Sequence, residues 1–114
     1  MGQGPTIVAL VMDLMFASRV RGAAPEAVIA RSPAALLEAV GPGTRLVLVD
    51  LQARDALEAL EGLRDRPSEV RVVAWGPHVM EEALAAAREA GADEVLPRGA
   101  FVRQLPQLVA AVET

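Results

Sequence analysis

The chain contains no cysteine, so disulfides, thiolate metal sites and thiol nucleophiles are excluded by inventory. It has no lysine either, and every basic side chain is an arginine, which removes Schiff-base chemistry and the lysine of a phosphate-binding P-loop. Apolar residues make up 53% of the chain, yet no apolar run approaches the roughly 20 residues that a membrane span requires. No cationic segment precedes the first apolar stretch, so a chain that is not exported is expected, with the cytoplasm as its location. A basic excess is also missing. The net charge is −4 and the sequence pI about 4.9, and neutralising nucleic-acid phosphates needs the opposite balance.

What is present centres on residues 44–50, TRLVLVD. Leu46, Val47, Leu48 and Val49 form an unbroken apolar run, the pattern of a strand covered on both faces in a parallel sheet. Asp50 ends it, at the carboxyl edge where open α/β sheets place their ligand crevice. With 114 residues, the chain is read as one domain, 1–114.

In chain order, 6–12 (TIVALVM) predicts a first buried strand, and Asp13 an N-cap for a helix over 14–24 that buries Phe16, Val20 and Ala24. Residues 26–30 predict a short edge strand. Ser32 and Pro33 then read as N-cap and first helical position, with a GPG break at 41–43 ending the helix. After the central strand a helix is expected over 53–63, opened or capped by Asp55, with Leu57 and Leu60 on one face together with Leu63 or Ala56. Residues 69–75 (EVRVVAW) predict a fourth strand stopped by Gly76 and Pro77. A helix over 79–90 follows, with Val79, Ala83, Leu84 and Ala87 on its apolar side and Gly91 at its C′ position. Residues 93–97 predict the fifth strand and 100–112 the last helix, in which Pro106 must lie in the first turn or kink the helix. Strands alternating with helices imply a parallel sheet with right-handed crossovers and helices on both faces.

Three segments, VMD at 11–13, LVLVDL at 46–51 and GADEVLPRGAF at 91–101, give essentially the whole chain a resemblance to the receiver domain of bacterial response regulators. The resemblance implies a flavodoxin-like α/β fold whose five parallel strands run in the order 2-1-3-4-5. It also implies a phosphoacceptor role for Asp50, an acidic-pocket and Mg²⁺-holding role for Asp13 beside Asp50, and phosphate contact by Arg98. Several positions depart from the family pattern. Met12 stands where a second acidic residue is usual, Gly76 where a Ser or Thr reads out the phosphate, Arg98 where a lysine does, and Gly99 where a proline follows. The LQARD segment after the central strand is also shorter than the family loop. These departures describe a degenerate, or pseudo-, receiver.

Other readings of the same residues are complete in themselves. N-capping alone accounts for Asp13, and Asp13, Asp50 and Arg98 are also readable as an ion-pair network with arginine as the counter-charge. Gly76 and Trp75 are expected to line the crevice, although a buried tryptophan needs only core space and an acceptor for its N–H. His78, the one histidine, reads as a solvated residue at a helix start. Met12, Met15 and Phe16 read as an apolar patch, with Phe16 assigned to the core. The expectation is a stand-alone signalling and protein-interaction module of the two-component type, not an enzyme and poorly phosphorylated, with no resident cofactor. Its expected partner is a histidine kinase or a second copy, the copy pairing through Val79, Met80, Phe101, Leu105 and Leu108. The alternatives are an active phosphorelay receiver using Asp50 with Mg²⁺, and a small-ligand binder at the same edge. No glycine-rich loop follows the first strand, which argues against the last.

Overall fold

The computed structural model describes residues 4–113, as five strands and five helices in strict alternation: β1 (Ile7–Leu10), α1 (Leu14–Ala23), β2 (Val28–Ala30), α2 (Pro33–Ala39), β3 (Leu46–Asp50), α3 (Ala56–Gly62), β4 (Arg71–Gly76), α4 (Glu81–Glu89), β5 (Glu94–Pro97) and α5 (Arg98–Val112). The sheet is parallel and ordered β2-β1-β3-β4-β5. The sequence-based order and fold class are both met. β3 lies at the centre, and all five of its residues are buried, as its unbroken apolar run requires of a strand covered on both sides.

Alternation along each strand sends side chains to two separate cores. Val8, Leu10, Val47, Val49, Val72 and Ala74 pack beneath α2, α3 and α4. Ile7, Ala9, Leu46, Leu48, Val73 and Trp75 pack beneath α1 and α5.

Local chemistry fixes most element boundaries. Asp13 is the N-cap of α1 and accepts from the N–H groups of Met15 and Phe16 at 2.7 and 3.2 Å. Ser32 caps α2 by accepting from Ala35 N–H at 3.1 Å, with Pro33 at the first helical position. Gly91 follows the cap residue Ala90 of α4 with a φ of +107°, a conformation costly for any residue with a Cβ.

Several boundaries differ from the sequence-based ones. β1 stops at Leu10, because the chain leaves the sheet and exposes Met12. α3 begins at Ala56 because Asp55 has a φ of +61°, outside the helical region, and its side chain makes no capping bond. Its face also differs: Leu57 is exposed while Ala56, Ala59 and Leu60 are buried. β4 runs through Gly76, which pairs with Pro97, and starts two residues late because Val70 closes a turn on Pro67. α4 starts at Glu81 after a turn in which Met80 N–H donates to the Pro77 carbonyl at 2.9 Å. Val79 therefore lies outside the helix, 73% exposed, instead of on its apolar side. α5 starts at Arg98, which places Pro106 in the helix interior rather than the first turn. Phe101, Leu105 and Leu108 turn inward onto the sheet, so the pairing surface expected from them is not available.

Among the described residues, no helix is long and apolar enough to cross a membrane.

Candidate functional site

The candidate site lies where the carboxyl ends of β1, β3, β4 and β5 meet. Asp50, the last residue of β3, pairs in register with Trp75 and is only 3% exposed. Its backbone leaves the sheet in a tight turn. Leu51 N–H donates to the Trp75 carbonyl and Ala53 N–H to the Asp50 carbonyl, both at 2.9 Å. The carboxylate is held by the same turn, accepting from Gln52 N–H at 2.9 Å. Burial pushes the Asp50 carboxyl above its ordinary value; the Gln52 N–H works against this, the Asp13 charge adds to it, and the Arg98 charge opposes it.

Asp13 and Asp50 are thus close enough to influence each other, but Asp13 is an exposed helix cap with one oxygen taken by two N–H groups. Among the described residues no three or more acidic or histidine side chains converge on a metal-sized site. Mg²⁺ keeps several of its waters and is held through one or two protein carboxylates; here Asp13 and Asp50 are the carboxylates that would meet it, and Met12, the residue before Asp13, brings none.

Arg98 is exposed at the start of α5. Its guanidinium donates to Gln52 Oε1 at 2.5 Å and lies 5.6 Å from the centroid of the Phe16 ring, within cation–π range. The ion-pair network read from Asp13, Asp50 and Arg98 is not formed: the salt bridges among the described residues are Arg66–Asp93 and Arg71–Glu94. Gln52 is the partner that sequence reasoning missed. A side-chain amide two residues past the strand-terminal aspartate was the available signal.

Gly76 is buried at the end of β4. A Cβ there would lie 3.4 Å from Leu51 Cβ and 3.6 Å from Leu51 Cδ1, ordinary contact distances, so the position has room for a Cβ and glycine leaves it without a hydroxyl. Trp75 does not line the crevice. It is 1% exposed, because its alternation sends it beneath α1 and α5, where it stacks on Phe101 with centroids 3.9 Å apart and planes 2° from parallel. Phe16 lies 5.7 Å away, so the chain's two phenylalanines and one tryptophan form a single cluster. His78 is exposed beyond β4.

No protein-family model matches the sequence, and no curated protein is similar to it in sequence. Solved structures are similar in fold. The receiver domain of NtrX from Brucella abortus superposes with a TM-score of 0.77 at 20% identity, covering 93% of this chain and 96% of that one. The BeF3-activated DrrB receiver domain gives 0.77 at 16% identity, covering 96% and 97%. A response regulator from Thermotoga maritima gives 0.70 at 16% identity, with the same coverage. Against longer NtrX chains, this chain spans 26% of their length. The chain therefore has the receiver fold.

Proposed function

We propose that this chain is a receiver-type signalling module that acts by contact with another protein, turns over no substrate and accepts a phosphoryl group inefficiently. The observation that supports this is how few donors the Asp50 site offers. Gly76, at the end of β4, carries no hydroxyl, and Arg98 is engaged by Gln52 and Phe16. A phosphoryl group adds close to two negative charges and needs donors or a cation to meet them.

A phosphorelay reading has two observations in its favour. Asp50 does end the third strand, and the neighbours in fold include a phosphorylated cyanobacterial regulator, RcpA. In that reading an Asp50 carboxylate oxygen attacks phosphorus while the bond from phosphorus to the donor's leaving group breaks.

Incubating the chain with acetyl phosphate and Mg²⁺ and weighing the intact protein separates the two readings. The expected result is an unmodified mass. A Mg²⁺-dependent gain of one phosphate, lost in Asp50→Asn, would establish the phosphorelay reading instead.

A further inference from the structure

The two helical layers carry opposite charge. α1 and α5 contain Arg19, Arg21, Arg98 and Arg103 and no acidic residue. On the other side of the sheet, α2, α3 and α4 contain Glu38, Glu58, Glu61, Glu81, Glu82 and Glu89 against Arg88 alone. Each layer also has an apolar feature. At the start of α1, Leu14 and Met15 are 74% and 68% exposed, with Arg19 one turn beyond on the same helix. Between α3 and α4 runs a groove: one stretch of about 360 Å³ is floored by Leu51, Ala56, Leu57 and Ala83 and edged by Asp55 and Glu58. A second stretch of about 280 Å³ continues from Leu57 past Glu61, Ala86 and Glu89. Arg64, at its border, is already bonded to the Glu89 carbonyl.

From this complementarity we infer that the chain associates with copies of itself head to tail. Leu14 and Met15 of one copy enter the α3–α4 groove of the next, with Arg19 set against Glu58 and Glu61. The inference deepens the protein-contact reading and rests on it. A second copy is the occupant because every copy carries both surfaces, one supplying exposed apolar side chains backed by an arginine and the other an apolar groove edged by carboxylates. The symmetric alternatives lack this match. Pairing α1 and α5 with themselves sets arginines against arginines, a repulsive arrangement, and the apolar side chains of α5 already face the sheet. A contact between two different patches does not close on itself as a symmetric dimer does, so it yields rings or open chains.

Sedimentation velocity on the full chain tests this. At low ionic strength the weight-average mass is expected to rise with concentration past twice the monomer's 12.0 kDa, and to return to monomer in about 1 M salt, where the screening length is near 3 Å. Two surface variants, Leu14→Gln with Met15→Gln and Arg19→Gln, and Glu58→Arg with Glu61→Arg, are each expected to be monomeric alone. Mixed in equal amounts they should recover a one-to-one complex that grows no further, since one retains the groove and the other the apolar knob. That recovery also shows that both variants are folded. A wild type that stays monomeric at low salt, association that survives either variant, or a mixture that stays monomeric would overturn the inference. The broader reading would stand in those cases, because it fails on the phosphate adduct and not on the mass of the assembly.

Discussion

Arg66 and Asp93, one in the turn after α3 and the other just before β5, are joined by a 2.6 Å ion pair that ties two connections of the sheet together. The same guanidinium donates to the carbonyls of Leu63, Val70 and Gly91, and the same carboxylate oxygen accepts from Val72 N–H at 2.8 Å. Arg66→Ala removes the guanidinium donors from three carbonyls and from the Asp93 carboxylate, leaving the carboxylate only Val72 N–H and the Leu63 carbonyl only the backbone N–H of residue 66. It should lower unfolding stability by about 1.5–3 kcal/mol, the range for hydrogen bonds to a charged group, as read from urea denaturation. An unchanged midpoint would show that water replaces the arginine without loss.

Asp50 and Asp93 should give pH dependences of opposite sign. Burial raises the Asp50 carboxyl, so the native state holds that proton at pH values where the unfolded chain has released it. Its contribution to stability therefore falls as pH rises through and above 3.8. At Asp93, burial works upward, but the Val72 N–H and Arg66 outweigh it and hold the carboxyl below its ordinary value, so stability is lost there as pH falls through 3.8 and below. Asp50→Asn keeps an oxygen for Gln52 N–H and removes the buried charge. It should unfold at a higher temperature than wild type at neutral pH, with the gain shrinking toward pH 3. Asp93→Asn should unfold at a lower temperature at neutral pH.

The central strand sets the scale of the core. Leu48 is fully buried in the α1–α5 layer, and Leu48→Ala should cost about 2–5 kcal/mol. A loss below about 1 kcal/mol would mean that the layer collapses around the cavity more readily than close packing allows.

Phosphoryl acceptance at the site should be partly recoverable. A Cβ at position 76 meets Leu51 at ordinary contact distance, so Gly76→Ser is sterically admissible, and Met12 is exposed at the edge. The double variant Met12→Asp, Gly76→Ser should form more acetyl-phosphate adduct with Mg²⁺ than wild type, by intact mass. An equal yield would place the block elsewhere, at Arg98 or in the turn after Asp50.

The strands and the caps at Asp13 and Ser32 were legible because each is written in adjacent residues: an apolar run, a carboxylate or hydroxyl before a helix, a proline behind it; the strand order came only with the resemblance to receiver domains. Local pattern did not reveal what depends on the third dimension. Val79 has helical spacing with Ala83 and Ala87, yet a turn closed by Met80 places it in solvent. Asp55 resembles a cap by residue type, but its backbone conformation makes it the residue at which the turn changes direction. The site was half legible. Asp50 stands where a strand-terminal carboxylate should, while the partner of Arg98 lies 46 residues away in the chain, a pairing that only the closed sheet brings about.

The aromatic cluster gives the molecule an optical gauge of one layer. Trp75 is the chain's sole indole and tyrosine is absent, so red-edge ultraviolet emission reports from a single ring, with no energy transfer from a phenol to disentangle. That ring lies flat on Phe101 of α5 and beside Phe16 of α1. A red shift or a rise in quenching by dissolved acrylamide would therefore record α1 and α5 lifting from the sheet. Loosening confined to α2, α3 and α4 would leave the signal dark to the change.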